Sequence, residues 1–188
     1  MLIPPRLTHQ LSCHGAGLVS CYLEPTSDRG DAGRHKFGEW HSGVGVGHVG
    51  EERLQFIPSD DESASHWVDL AVPAAQRRVD PRIAAAARRI RQDAAAAISS
   101  GELAAAARLS ESRFLHLFRD ELGTSLRRYR LWVRLIHAGT AIAAGDNLTT
   151  AAMKAGFASP SHLADRFKTT FGLSATQLLG TGLALRTP

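Results

Sequence analysis

Six histidines (His9, His14, His35, His41, His48 and His66) and both cysteines, Cys13 and Cys21, fall in the first 79 residues of this 188-residue chain. Imidazole and thiolate are the ligands of zinc, and histidine with carboxylate that of non-haem iron. Such sites draw on closely spaced ligand pairs, because one turn or strand must deliver two donors to one ion. Here the spacing across the set is irregular and the pair His9/His14 lies in a loop context, so these side chains read as surface and loop histidines. No metal, no cofactor and no catalytic residue is expected. Cys13 and Cys21 lie symmetrically about Gly17, where a hairpin would set them face to face. Two cysteines are too few for a disulfide scaffold, and reduced thiols fit a cytoplasmic setting.

The second chemistry on offer is electrostatic. Residues 1–79 carry 7 Lys+Arg against 10 Asp+Glu, a net of −3, and residues 80–188 carry 15 against 8, a net of +7. That asymmetry describes a basic module aimed at a polyanion, joined to a segment with another task. With 44% hydrophobic and 21% charged residues the composition is ordinary for a globular protein. No apolar run approaches the ~20 residues needed to cross a bilayer. The opening Met1-Leu2-Ile3-Pro4-Pro5 lacks the basic and apolar regions of a signal peptide. A soluble, cytoplasmic, nucleoid-associated protein with no membrane partner is expected.

The elements that position these residues change character near Pro81. Before it, residues 7–11 alternate apolar and polar and residues 18–23 are β-branched, aromatic and apolar, with Gly15-Ala16-Gly17 as a turn between them. They read as a hairpin, and residues 66–72 as a further strand. Residues 25–50 read as loop; Gly43-Val44-Gly45-Val46-Gly47 is compatible with a strand that its glycines weaken. After Pro81 the chain reads as helices. Asp80-Pro81 is an N-cap with proline in the first helical position, followed by Ile83, Ala87, Ile90 and Ala94 at helical spacing. Further helices are predicted over 102–107, from Ser110 to Gly123, over 125–144, over 148–155, from Ser159-Pro160 to Gly172, and over 175–179. The longest carries Leu126, Tyr129, Val133, Ile136 and Thr140 on one stripe.

Two stretches repeat. Ala104-xxx-Arg108-Leu109 precedes Phe114-xxx-Phe118-xxxx-Gly123, and Ala152-xxx-Gly156-Phe157 precedes Leu163-xxx-Phe167-xxxx-Gly172, with one extra residue between the blocks in the second copy. Short helix, tight turn and helix, given twice, is a duplicated helix-turn-helix. The small alanine lets the two helices approach, and the turn residue takes a left-handed conformation, natural for glycine. Leu109 or Phe157 plugs the core, and the i,i+4 apolar pair anchors the second helix. Positions between the anchors face outward, on a cylinder that fits the major groove of B-form DNA.

On these residues the chain resembles the C-terminal DNA-binding domain of the AraC/XylS family of bacterial transcription regulators. The resemblance runs from about Pro81 to Leu179. It includes Leu103-Ala104, Leu109-Ser110, Phe118 and Gly123, then Tyr129, Arg134, Ala138 and Ala141-Ile142 of the connector, and Gly156-Phe157, Ser161, Phe167-Lys168 and Gly172. It implies two recognition helices in successive major grooves of double-stranded DNA, held apart by a rod of about 20 residues and roughly 30 Å. Carried over by position, the base-reading candidates are Ser112, Arg113, Leu115 and His116 in the first unit and Ser161, His162, Ala164 and Asp165 in the second. Arg119, Arg127, Arg128, Arg166 and Lys168 suit phosphates. The chain departs from the family pattern at Arg108, where glycine is usual, at Asp165, where arginine is frequent, and at Ala175 and Leu178, which replace proline and tyrosine. Arg108 implies either left-handed strain of ~1 kcal/mol or a different turn. Asp165 is repelled by phosphate but can accept from a cytosine amino group.

Ile3-Pro4-Pro5-Arg6-Leu7-Thr8-His9 and residues 18–25 resemble the second half of the cupin-type barrel that such regulators carry as a sensor. This implies a remnant with open edges and an incomplete effector pocket. The expected fold is therefore a mainly α carboxy-terminal domain (80–180), with two helix-turn-helix subdomains on a long connecting helix. A small β or irregular segment (1–79), a partial cupin barrel, precedes it, and a tail (181–188) follows. The expected function is sequence-specific transcription regulation without catalysis, with double-stranded DNA as partner and no assigned effector. Two alternatives are a truncated regulator that acts by hetero-association with a full-length relative, and a cupin-type metal enzyme; the amino-terminal segment is where a homodimer or hetero-association would form.

Overall fold

The structure, a computed structural model, describes residues 1–4, 7–10, 18–23, 29–74, 79–172, 174 and 177. The chain divides into two compact units, Met1–Arg77 and Arg78–Thr187. Among the described residues no helix is long and apolar enough to cross a membrane.

The first unit holds helix α1 (Arg29–Arg34), strands β1 (Phe37–His41) and β2 (Val44–His48), a 3-10 turn (Glu51–Leu54) and helix α2 (Asp61–Ala71). Of the loop predicted over 25–50, the described residues 29–50 hold a helix and an antiparallel hairpin. Ser42 and Gly43, at φ 50° and 84°, form the tight connection that matches strand twist. Glycine at 45 does not weaken β2 but makes room. A Cβ there would lie 3.0 Å from Phe37 and 3.2 Å from the Trp40 ring, which meet edge-to-face at 6.4 Å.

The strand expected over 66–72 lies in α2. Asp60 and Ser63 close a capping box, and half-buried Ala64, Trp67 and Val68 with buried Ala71 recur at i, i+3, i+4 and i+7, a helical period. His48 docks the hairpin on this helix. Its Nε2 donates to Ala71 O at 2.9 Å and its Nδ1 accepts from Gly50 N–H at 2.9 Å, so a buried imidazole has both nitrogens satisfied. Residues 7–10 and 18–23, expected as paired strands, form none, and Leu2 makes an isolated bridge to Gly45. The one sheet among the described residues has two strands; residues 5–6 and 24–25 of the segments that carry the cupin resemblance lie outside the described residues. Cys21 is exposed; Cys13 and the predicted turn at 15–17 lie outside the described residues.

The second unit is helical: α3 (Pro81–Gln92), α4 (Ser100–Ala106), α5 (Glu111–Leu122), α6 (Leu126–Ala143), α7 (Leu148–Lys154) and α8 (Pro160–Phe171). Each start is written locally: Asp80, Ser99, Ser110, Ser125, Asn147 and Ser159 each accept a backbone N–H in the first turn. Gly123 and Gly172 end α5 and α8 in the left-handed conformation. The short helix expected over 175–179 lies outside the described residues except for Gln177, as do Ala175, Leu178 and the tail.

The caps carry a pH dependence. Asp80 accepts from Arg82 N–H at 2.9 Å and pairs with the Arg82 side chain at 2.7 Å and 3.1 Å. These bonds hold its carboxyl at about 2, below the ordinary value. The Ser99 backbone N–H, donating at 2.7 Å, lowers Glu102 likewise. A carboxyl lowered by folding contributes its full stabilisation above the unfolded pKa, about 4, and loses it as pH falls through the folded value. The melting temperature should therefore drop between about pH 4 and pH 2, with a smaller drop in Asp80→Asn; an equal drop in that variant would show that the cap contributes nothing.

Candidate nucleic-acid interface

Two cores organise the second unit. Ile83, Ala87, Ile90, Leu103, Ala104, Phe114, Phe118, Leu122, Leu126, Tyr129 and Val133 form the first. Leu135, Ala138, Ala151, Ala152, Ala155, Phe157, Leu163 and Phe167 form the second. Helix α6 serves both. At roughly 100° per residue, Leu126, Tyr129 and Val133 lie about half a turn from Leu135 and Ala138. The single stripe read from sequence is therefore wrong beyond Val133: Ile136 is half-buried and Thr140 exposed, while Leu135, Ala138 and Gly139 are buried. One helix buries opposite faces in its two halves.

The two copies close their turns with the same hydrogen bonds. Leu109 N–H donates to Ala104 O at 3.0 Å and Phe157 N–H to Ala152 O at 2.9 Å; Arg108 N–H donates to Ala105 O at 3.0 Å and Gly156 N–H to Met153 O at 3.1 Å. Arg108 is left-handed at φ 54° and Gly156 at φ 74°. The first turn keeps its geometry and Arg108 carries the strain. Ala104 and Ala152, both buried, sit where the helices of each pair approach.

The pairs expose equivalent surfaces. On α5, Phe114, Phe118 and Leu122 point inward, and Ser112, Arg113, His116 and Arg119 are exposed. On α8, Leu163 and Phe167 point inward, and Ser161, His162, Asp165, Arg166 and Lys168 are exposed. Leu115, 38% exposed, and half-buried Ala164 lie between the two faces. Arg127 and Arg128 are exposed in the first turn of α6. Some of the outward side chains are held. His116 Nδ1 bonds Ser112 O at 2.8 Å, and Arg166 Nε donates to His162 Nε2 at 3.4 Å and stands 3.9 Å from Asp165 Oδ2. The His162 ring sits edge-on to Phe157 at 5.5 Å.

Three positioning contacts escaped the sequence reading. Arg134 Nε donates to Ala94 O at 3.1 Å, and the Arg130 guanidinium donates to Ile98 O. Two arginines one turn apart on α6 thus strap the 93–99 segment to the helix. Burial, with Arg134 nearby, lowers the Arg130 pKa. Ser100 donates to Glu111, tying α4 to the start of α5. The i,i+4 spacing of the arginines was visible, but their acceptors are backbone carbonyls, which no residue pattern marks. Among the described residues no three His, Cys, Asp or Glu gather as metal ligands.

The carboxy-terminal unit thus has a helix-turn-helix fold of the kind found in DNA-binding domains of transcription regulators, with two such motifs on a shared helix. A family model described as "Helix-turn-helix domain" matches residues 103–180. The unit is structurally similar to the C-terminal domain of AraT, a response regulator from Geobacillus stearothermophilus, with a TM-score of 0.52 and 18% identity over 60% of this chain and 94% of that one. The DNA-binding domain of AdpA, a global transcriptional factor solved with a target DNA, matches with a TM-score of 0.50 and 21% identity over 54% of this chain and 93% of that one. A DNA-binding transcriptional dual regulator from Escherichia coli K-12 gives 0.50 and 19%, covering 56% and 96%. No curated protein matches the sequence.

Proposed function

We propose that the chain is a sequence-specific DNA-binding transcription regulator, acting in the cytoplasm on nucleoid DNA and catalysing no reaction. Helices α5 and α8 enter successive major grooves of one duplex, with Ser112, Arg113, Leu115, His116, Ser161, His162, Ala164 and Asp165 toward base edges. Arg119, Arg127, Arg128, Arg166 and Lys168 bind phosphates. The observation that carries this reading is the duplication itself: one turn geometry, built twice on opposite faces of α6, leaves equivalent positions exposed on both second helices. The 18 residues of α6 span about 27 Å at 1.5 Å each, close to the ~34 Å advance of a duplex turn. The net +7 of residues 80–188 steers the encounter.

Binding to labelled duplexes across 50–200 mM salt tests it. If the five cations each neutralise one phosphate, the logarithm of the association constant falls with slope about −4.5 against log salt. Arg128→Ala should weaken all sequences alike and reduce that slope by about 0.9, whereas His116→Ala should change the ranking of sequences at nearly constant slope. A flat salt response, or both variants binding every duplex as the parent does, removes the reading.

A further inference from the structure

His116 and Asp165 hold the same place in the two copies, two residues beyond the inward-pointing Phe114 and Leu163, and both are exposed. The His116 Nδ1 lies 2.8 Å from Ser112 O. A carbonyl oxygen can only accept, so Nδ1 is the donor, and in the neutral form of the ring Nε2, the nitrogen away from the helix backbone, keeps its lone pair. A carboxylate at Asp165 is also an acceptor and nothing else. Arg166 Nε stands 3.9 Å from Asp165 Oδ2, beyond hydrogen-bond range. Its charge offsets the repulsion of Asp165 by phosphate without using up that oxygen.

In the major groove, guanine shows the acceptors N7 and O6 and thymine the acceptor O4; an N–H is offered only by adenine N6 and cytosine N4. We infer that both reading helices present an acceptor at the same position and so select an amino-bearing base on the contacted strand, adenine or cytosine at His116 and cytosine at Asp165. Adenine is disfavoured at Asp165 because its N7 lone pair flanks the amino group and faces the negative carboxylate. This inference rests on the DNA-binding reading above and adds the base class that each helix reads.

The test is selection of duplexes from a randomised library by the full chain, by His116→Arg and by Asp165→Arg. Both sites are exposed, so matched melting curves are expected for the three proteins. The parent should yield one position enriched in adenine or cytosine and another enriched in cytosine, each by about tenfold over guanine and thymine, within the range of a good base contact. Each arginine variant should move only its own position to guanine, whose O6 and N7 accept from a guanidinium. Guanine or thymine at the responding positions of the parent, or selected sites unchanged by both substitutions while duplex is still retained, overturns the inference and leaves DNA binding intact. Recovery of no duplex by the parent overturns DNA binding itself, and the inference with it.

Discussion

Phe118→Ala should cost about 3–5 kcal/mol and melt one half of the carboxy-terminal unit well before the other. Phe118 is fully buried, its ring 5.8 Å from Phe114 and 5.5 Å from Tyr129. Truncation removes the transfer free energy of a buried aromatic and leaves a cavity that its neighbours fill only in part. Tyr129 cannot follow the collapse freely, because its hydroxyl accepts from Arg91 Nη1 at 3.0 Å. A loss of this size is a large part of the 5–15 kcal/mol that holds a typical domain. The partition follows from the two cores. Phe118 belongs to the one built on the first half of α6, and Leu163 and Phe167 to the one on the second half. In amide hydrogen exchange, the variant should lose protection in α3, α4 and α5 while α7 and α8 keep most of theirs. Phe167→Ala should do the reverse, and both should abolish tight duplex binding, since each removes one of the two helices proposed to enter the grooves. Equal loss of protection across the unit in both variants would mean a single cooperative block.

The repeat was legible in the sequence because its signals are local. Ser110 and Ser159 cap the second helices, Gly123 and Gly172 end them, and the i,i+4 pairs Phe114/Phe118 and Leu163/Phe167 mark their inner faces. Each depends on a few neighbouring residues and on backbone preferences that tertiary context reinforces. The same holds for the outward positions, which follow from the inner ones by helical period alone. What failed was non-local. A helix that buries one face and then the opposite one looks apolar on several sides, and extending the Leu126–Tyr129–Val133 stripe to Ile136 and Thr140 assumed one core where there are two.

The amino-terminal unit failed for a related reason. Its glycines read as loop by propensity, yet Gly45 is set by the two rings packed against it and Gly43 by a two-residue turn. The period in 64–71 that makes α2 was present but outweighed by the β-forming character of His66-Trp67-Val68. Strand propensity is a statement about fit to a pleated surface, and no described strand pairs with this segment. Departures from the repeat were informative in another way. Arg108 and Asp165 break the pattern without breaking the geometry: the first turn stays left-handed and the second helix keeps its outward face. What changes is strain at one site and hydrogen-bonding sense at the other.

That difference between the two turns makes the next largest effect. Gly156→Ala should destabilise the carboxy-terminal unit by about 3 kcal/mol, while Arg108→Ala, at the equivalent place, should stay within about 0.5 kcal/mol of the parent. A left-handed conformation costs an L-residue roughly 1–2 kcal/mol, and Arg108 already bears that cost, so alanine there changes little. At Gly156 the cost would be new. It would also come with a collision, since a Cβ would lie 2.7 Å from Ala95 Cα and 3.3 Å from Ala94 O. Those are backbone atoms of the segment that Arg134 and Arg130 strap to α6, so relief requires moving the segment or the turn, at the typical 1–3 kcal/mol of overpacking. Arg108→Gly sharpens the contrast: it relieves the strain but frees the unfolded chain, leaving a net change of less than about 1 kcal/mol. Denaturant midpoints of the three variants check the order. Because the Gly156 turn sets the angle of α8, Gly156→Ala should also weaken duplex binding at temperatures where it is still folded, and Arg108→Ala should not. A loss in Arg108→Ala as large as in Gly156→Ala would show that the first turn is stabilised by side-chain contacts of Arg108 rather than by backbone geometry.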